Sequence, residues 1–153
     1  MRCIPIVFGF LLWGGVALSV QADVVPVNND ALKKLIQEGV PLIDVRRKDE
    51  WLATGVVEGS HLLTFFDAAG RYDVEQWLHE LEQIVSPGQP FMLICEVGGR
   101  TGSITSFLDK KLQLPGVHDV SAGIRGWIKA GEPVVPYAES PPPEQQNVDD
   151  NSQ

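Results

Sequence analysis

The sequence contains little cysteine: only Cys3 and Cys95 occur in 153 residues. This scarcity excludes a small domain held together by several disulfides. Because Cys95 is the only cysteine after the first three residues, it has no partner in the rest of the chain. Such a thiol is a reactive group, a site of intermolecular pairing, or a small buried apolar residue. The cysteine count alone favours the third interpretation.

Basic residues are also scarce. Lys and Arg total 12 against 20 Asp and Glu, which gives a formal net charge of −8. Nucleic-acid phosphates require a basic stripe, and the sequence has none, so it predicts no nucleic-acid partner. Net negative charge gives no long-range attraction for an anionic substrate either, so any anion site has to be local. The three histidines (His61, His79 and His118) lack the spacing of metal ligands, and we expect no metal.

Long apolar runs are absent except over residues 4–20. Arg2 precedes this run and Ala22 follows it, a pattern typical of a secretory signal peptide over residues 1–22. The run is shorter than the roughly 20 apolar residues that a membrane-spanning helix needs. We therefore expect cleavage after Ala22 and a periplasmic protein. An uncleaved inner-membrane anchor is the alternative.

Strand and helix patterns alternate over residues 23–135. The predicted strands are 24–27, 41–46, 61–66, 91–95 and 117–120. The predicted helices, with their caps, are 28–39, 48–55, 73–85, 101–112 and 124–131. This alternation predicts one α/β domain with a mostly parallel central sheet and helices on both faces. Residues 136–153 are acidic and rich in proline, and we expect a disordered tail there.

The stretch FMLICEVGGRTGS, residues 91–103, joins an apolar strand to a helix through a glycine-rich turn. Ligands of parallel α/β sheets bind where strands end and helices begin, and Cys95 falls at such a point. Gly98 and Gly99 allow a tight turn whose N–H groups point inward. Together with a helix starting near Thr101, this turn favours a thiolate over a thiol. The alternative is a plain turn with a buried cysteine and a solvated Arg100.

The segment CEVGGRT resembles the six-residue active-site loop of rhodanese-family sulfurtransferases, with cysteine first and arginine last. Residues 41–63, PLIDVRRKDEWLATGVVEGSHLL, look like the early segment of that family. Residues 117–134, VHDVSAGIRGWIKAGEPV, are similar to its closing segment. The resemblance implies a rhodanese-like domain over residues 23–135, which agrees with the predicted α/β fold.

The resemblance also implies a mechanism. The Cys95 thiolate would take the outer sulfur of a donor anion such as thiosulfate or a polysulfide, and a thiol or cyanide would accept it. Backbone N–H groups of the loop would stabilise the persulfide, with no cofactor. The implied substrate-binding loop comprises Glu96, Val97, Gly98, Gly99, Arg100 and Thr101.

Three further residues are assigned supporting roles. Asp44 and Arg46 match an Asp-Val-Arg of the family that braces the loop, although Arg46 could equally be part of a surface ion pair. Ser103 and Thr101 are expected to cap the helix, with a hydrogen bond to the sulfur as the alternative. Glu96 departs from the family pattern, in which many active members carry a basic or neutral residue directly after the cysteine. A carboxylate at this position would repel an anionic donor.

Two other functions are compatible with the sequence. One is a non-catalytic rhodanese-like binding module, which Glu96 suggests. The other is a redox-reactive thiol protein that needs a thiol reductant. Phosphatase activity is disfavoured, because related phosphatases use a loop one residue longer than the six residues from Cys95 to Arg100.

Overall fold

The computed structural model describes residues 24–138. The predicted signal peptide, residues 1–22, lies outside the described residues, as do residues 139–153 of the predicted tail. Within residues 24–138, no helix is long and apolar enough to cross a membrane.

The centre of the fold is a five-stranded sheet in which every pair of neighbouring strands is parallel. Its spatial order is β1-β5-β4-β2-β3. The strands are β1 (Val25–Pro26), β2 (Leu42–Asp44), β3 (His61–Leu62), β4 (Phe91–Ile94) and β5 (Val117–Asp119). The helices are α1 (Asn29–Gln37), α2 (Lys48–Thr54), α3 (Val74–Leu81), α4 (Gly99–Leu112) and α5 (Gly123–Lys129). The predicted α/β fold with a parallel sheet is confirmed.

Two hydrophobic cores cover the two faces of the sheet. Along β4, Phe91 and Leu93 point into one core and Met92 and Ile94 into the other, as strand geometry requires. The first core contains side chains of α3 and α4, and the second contains side chains of α1 and α5. An apolar run such as FMLI therefore becomes the central strand, because both of its faces exclude water.

Some element bounds differ from the prediction. β3 ends at Leu62 rather than at residue 66. The Leu63 amide still donates to the Asp44 carbonyl in β2, and the Phe65 amide donates to the Val45 carbonyl just after β2. α3 ends at Leu81 rather than at 85, because the amides of Gln83 and Ile84 bond three residues back and tighten the chain. α4 begins at Gly99, before the predicted start near residue 101.

The chain after α5 returns to α2 and the residues that follow it. Val135 exchanges two backbone hydrogen bonds with Val56, and the Trp127 indole donates to the Pro133 carbonyl at 2.7 Å. Tyr137 packs its ring against Trp51 at a centroid distance of 5.6 Å. The described structure thus includes the first residues of the predicted tail.

Candidate active site

Cys95 directly follows the central strand β4, at the edge of the sheet where the parallel strands end. Its side chain belongs to the core under α3 and α4, and only 1% of the residue is exposed. It is a free cysteine. The thiol thus lies at the floor of the loop that connects β4 to α4.

Gly98 brings the loop back over the sulfur. Its φ of +88° is a left-handed conformation that glycine adopts without strain. The Gly98 amide donates to the Cys95 Sγ at 3.2 Å, and the Thr101 Oγ1 lies 3.6 Å from the same sulfur. The predicted turn around the thiol therefore closes tightly enough for direct contact.

The loop carries a set of unused backbone donors. α4 starts at Gly99, so its first N–H groups have no carbonyl one turn earlier to bond. Within residues 24–138, five amides of this loop donate to no protein acceptor, and they belong to Glu96, Val97, Gly99, Arg100 and Thr101. Donors of this kind, at the positive end of a fourteen-residue helix, form a local site for negative charge.

Hydrogen bonds to α5 set the orientation of the loop. The carbonyl of Cys95 accepts from the Ile124 amide at 2.8 Å, and the carbonyl of Glu96 accepts from the Arg125 amide at 3.0 Å. In a trans peptide the C=O and N–H point in opposite directions. The amides of Glu96 and Val97 therefore face away from α5.

Two glycines allow the loop to lie this close to the turn before α5. A Cβ on Gly98 would overlap the Ser121 carbonyl, and its carbon would lie at 2.7 Å. A Cβ on Gly123, whose φ is +59°, would overlap the Glu96 carbonyl and come within 2.6 Å of the Val97 amide nitrogen. The glycine of the closing segment is thus a part of the site's geometry.

Arg100 holds the loop to α2. Its Nη1 donates to Glu50 Oε2 at 2.8 Å, and its Nη2 donates to Glu50 Oε1. Burial alone would raise the pKa of Glu50, but hydrogen bonds from Arg100 and from the Arg47 amide outweigh it and lower that pKa below its ordinary value. Arg100 is thus not the solvated side chain of the plain-turn alternative, because its guanidinium holds the loop to Glu50.

Asp44 and Arg46 form a fully buried ion pair, with Arg46 Nη2 2.6 Å from Asp44 Oδ2. Arg46 also donates to Thr54 Oγ1 at 2.6 Å and to the Gly55 carbonyl at 2.9 Å. The alternative of a surface ion pair was wrong, because these hydrogen bonds satisfy the guanidinium inside the protein. The pair fixes the end of α2, the helix that carries Glu50.

Ser103 does not cap α4. Its Oγ donates to the Gly99 carbonyl at 3.2 Å, within the second turn of the helix. The N-cap is Gly98, which offers no side-chain cap. Of the two hydroxyls considered, only Thr101 lies beside the sulfur within the described residues.

Sequence reasoning missed Glu50 and Arg125. Glu96, the departure from the family pattern, pairs with Arg125 Nη2 at 2.8 Å. Both missed residues are far from the loop in sequence, and only the fold brings them beside it. The available sequence signals were their positions as charged residues in the first turn of a helix, Glu50 in α2 and Arg125 in α5. Within residues 24–138, no cluster of His, Cys, Asp or Glu could hold a metal ion.

The sequence matches a known protein family. The model of the rhodanese-like domain matches residues 28–130, which is more than half of the chain. The chain belongs to the rhodanese family. No curated protein gives a significant match.

Several solved structures have the same fold. A rhodanese-related protein from Thermoplasma volcanium has 25% identity and a TM-score of 0.56, with 74% of this chain and 99% of that chain covered. The polysulfide-sulfur transferase homodimer from Wolinella succinogenes has 22% identity and a TM-score of 0.56, with 75% and 80% covered. A possible tyrosine phosphatase from Rhodopseudomonas palustris has 19% identity and a TM-score of 0.54, with 73% and 85% covered. The last two likenesses show the fold alone.

The close approach at Gly98 yields a first prediction. Gly98→Ala should lower the free energy of unfolding by about 2–3 kcal/mol, because it adds left-handed strain and an overlap with Ser121. The matched control is Gly99→Ala, since a Cβ there meets nothing within 4 Å. Urea unfolding of both variants is the measurement, and equal midpoints would contradict the described loop.

The buried ion pair yields a second prediction. Arg46→Ala should destabilise the protein by about 3–5 kcal/mol, because it leaves the Asp44 carboxylate buried without a partner. Arg71→Ala serves as the control, since that exposed side chain pairs with Asp67 at the surface and should change stability far less. Thermal and urea unfolding would measure both, and a small loss for Arg46→Ala would refute the buried pair.

Proposed function

We propose that this rhodanese-family protein is a sulfurtransferase that carries sulfane sulfur on Cys95. In the first step, the Cys95 thiolate attacks the outer sulfur of a donor such as thiosulfate or a polysulfide. The donor's S–S bond breaks, and sulfite or the shortened polysulfide leaves with the electron pair. In the second step, a thiolate or cyanide takes the outer sulfur, and Cys95 is released as a thiolate.

The observation that carries this proposal is the set of unused amides around a free thiol. A persulfide on Cys95 has a terminal negative charge that needs hydrogen-bond donors. The loop supplies five amides without a protein acceptor in the described chain, and Gly98 already contacts the sulfur. Such fixed donors stabilise charge without having to reorganise, as in an oxyanion hole.

Loop size and a neighbouring structure support sulfur as the transferred group. Cys95 to Arg100 is six residues, one fewer than in the phosphatases that resemble this family. One solved structure of the same fold is named a polysulfide-sulfur transferase. A second candidate is a non-catalytic binding module, which the 1% exposure of Cys95 favours, since a donor has to reach the sulfur.

Mass spectrometry separates these candidates. After incubation with polysulfide or thiosulfate, the purified protein should gain one sulfur atom on Cys95, and cyanide should remove it. Cys95→Ser should gain none, while Ser103→Ala should load as the wild type does, because Ser103 faces the Gly99 carbonyl. Absence of any adduct with either donor would refute sulfur transfer and leave the binding module. Capture of disulfide-linked partners instead would indicate the redox-reactive thiol protein.

We also propose that the protein is exported to the periplasm, with an inner-membrane anchor as the alternative. The support is the sequence pattern of residues 1–22. N-terminal sequencing of the protein from the envelope fraction should find Asp23 as the first residue. An intact Met1 in a membrane pellet would indicate the anchor, and an intact Met1 in the cytosolic fraction would refute export.

A further inference from the structure

The residue that follows the thiol in the loop belongs to a pair of opposite charges. Glu96 immediately follows Cys95, and its Oε1 accepts from Arg125 Nε at 3.0 Å and Nη2 at 2.8 Å. The Glu96 side chain is 38% exposed and the Arg125 side chain 62%. Both charges are therefore open to a ligand that approaches the loop.

The position of this pair does not depend on its side chains alone. Backbone hydrogen bonds join Cys95 to Ile124 and Glu96 to Arg125. Gly123 allows α5 to sit directly against the loop. The backbone thus fixes where the carboxylate and the guanidinium begin relative to the sulfur.

The pair still has unused hydrogen-bonding capacity. All bonds between the two side chains go to Glu96 Oε1, and within residues 24–138 neither Glu96 Oε2 nor Arg125 Nη1 has a partner. Arg100 differs, because both of its terminal nitrogens bond Glu50. At the residue that follows the thiol, this ion pair therefore keeps one carboxylate oxygen and one guanidinium nitrogen with unused hydrogen-bonding capacity.

We propose that the Glu96–Arg125 pair recognises an amino-acid-type thiol, such as free cysteine, as the sulfur acceptor. This inference rests on the proposed sulfur transfer through Cys95. The α-ammonium of the acceptor bonds Glu96 Oε2, and its α-carboxylate bonds Arg125 Nη1. A zwitterion satisfies both groups, whereas an anion or a cation satisfies one and is repelled by the other.

The transfer step balances without a further reactant. The acceptor thiolate attacks the outer sulfur of the Cys95 persulfide and forms a new S–S bond. The bond between that sulfur and Cys95 breaks, and its electron pair remains on Cys95 as a thiolate. The product is the persulfide of the amino-acid thiol, and no external oxidant or reductant is consumed.

Three thiols of similar size test the proposal. The persulfidated protein, freed of excess polysulfide, is mixed with cysteine, with cysteamine (which lacks the carboxylate), or with 3-mercaptopropionate (which lacks the ammonium group). Loss of sulfur from Cys95 is followed by mass spectrometry. Each rate is divided by the rate of the same thiol with a small-molecule persulfide, which removes differences in ionisation and nucleophilicity.

Wild-type protein should prefer cysteine to each of the other two thiols by about tenfold, the effect of one hydrogen bond to a charged group. Arg125→Gln should abolish the preference over cysteamine, and Glu96→Gln the preference over 3-mercaptopropionate. Use of the donor should change in the opposite direction. The KM of the Glu96→Gln variant for thiosulfate should fall, because Arg125 is then left unpaired. Loss of stability alone would not produce opposite signs for donor and acceptor.

Lys34→Gln and Glu38→Gln are the matched controls. They remove the same charges from another exposed ion pair, which lies at the end of α1. Because α1 ends just before β2 begins, this pair lies at the edge of the sheet opposite to Cys95. Both controls should keep the cysteine preference. Equal normalised rates for the three thiols, or a cysteine preference that survives both Glu96→Gln and Arg125→Gln, would overturn this inference while sulfur transfer itself stood. A Cys95 that takes up no sulfur would overturn both.

Discussion

The hydrogen bonds between the loop and α5 are the constraint on which the site depends. The carbonyls of Cys95 and Glu96 accept hydrogen bonds from two amides in the first turn of α5. This turns the amides of Glu96 and Val97 away from that helix. Without these bonds, the orientation of these two N–H groups would not be fixed. Only glycine fits at positions 98 and 123, because this contact leaves no room for a side chain at Gly98 or Gly123.

Much of the fold follows from sequence because burial dictates composition. The central strand β4 is buried on both faces, so every residue from Phe91 to Ile94 is apolar and the pattern is unambiguous. The edge strand β3 has only two residues, one of them exposed, and nothing in its composition marks where pairing stops. The start of α4 was also misplaced, because the left-handed Gly98 begins the helix without a side-chain cap that sequence could reveal.

The site was predicted where its parts are close in sequence and missed where they are not. Cys95, the glycines and Thr101 lie within one short segment, so their convergence could be read directly. Glu50 pairs with Arg100 across fifty residues, and no local pattern reports such a contact. The burial of Arg46 was equally hidden, since a guanidinium after a strand looks the same whether it meets water or the end of α2.

The proposed function requires an acidic protein to hold a sulfur anion, and the charges of the candidate site indicate which groups would do so. Arg100 is neutralised by Glu50 and Arg125 by Glu96, so neither arginine adds net positive charge at the loop. Stabilisation of a sulfur anion therefore falls to backbone dipoles, which are rigid and independent of the net charge of −8. Side-chain charges are then available for a different task, which is to select among partners by their own charge pattern. In the proposed function, chemistry and selectivity would thereby be separated: the amides would act on the sulfur, and the paired side chains on the molecule that removes it.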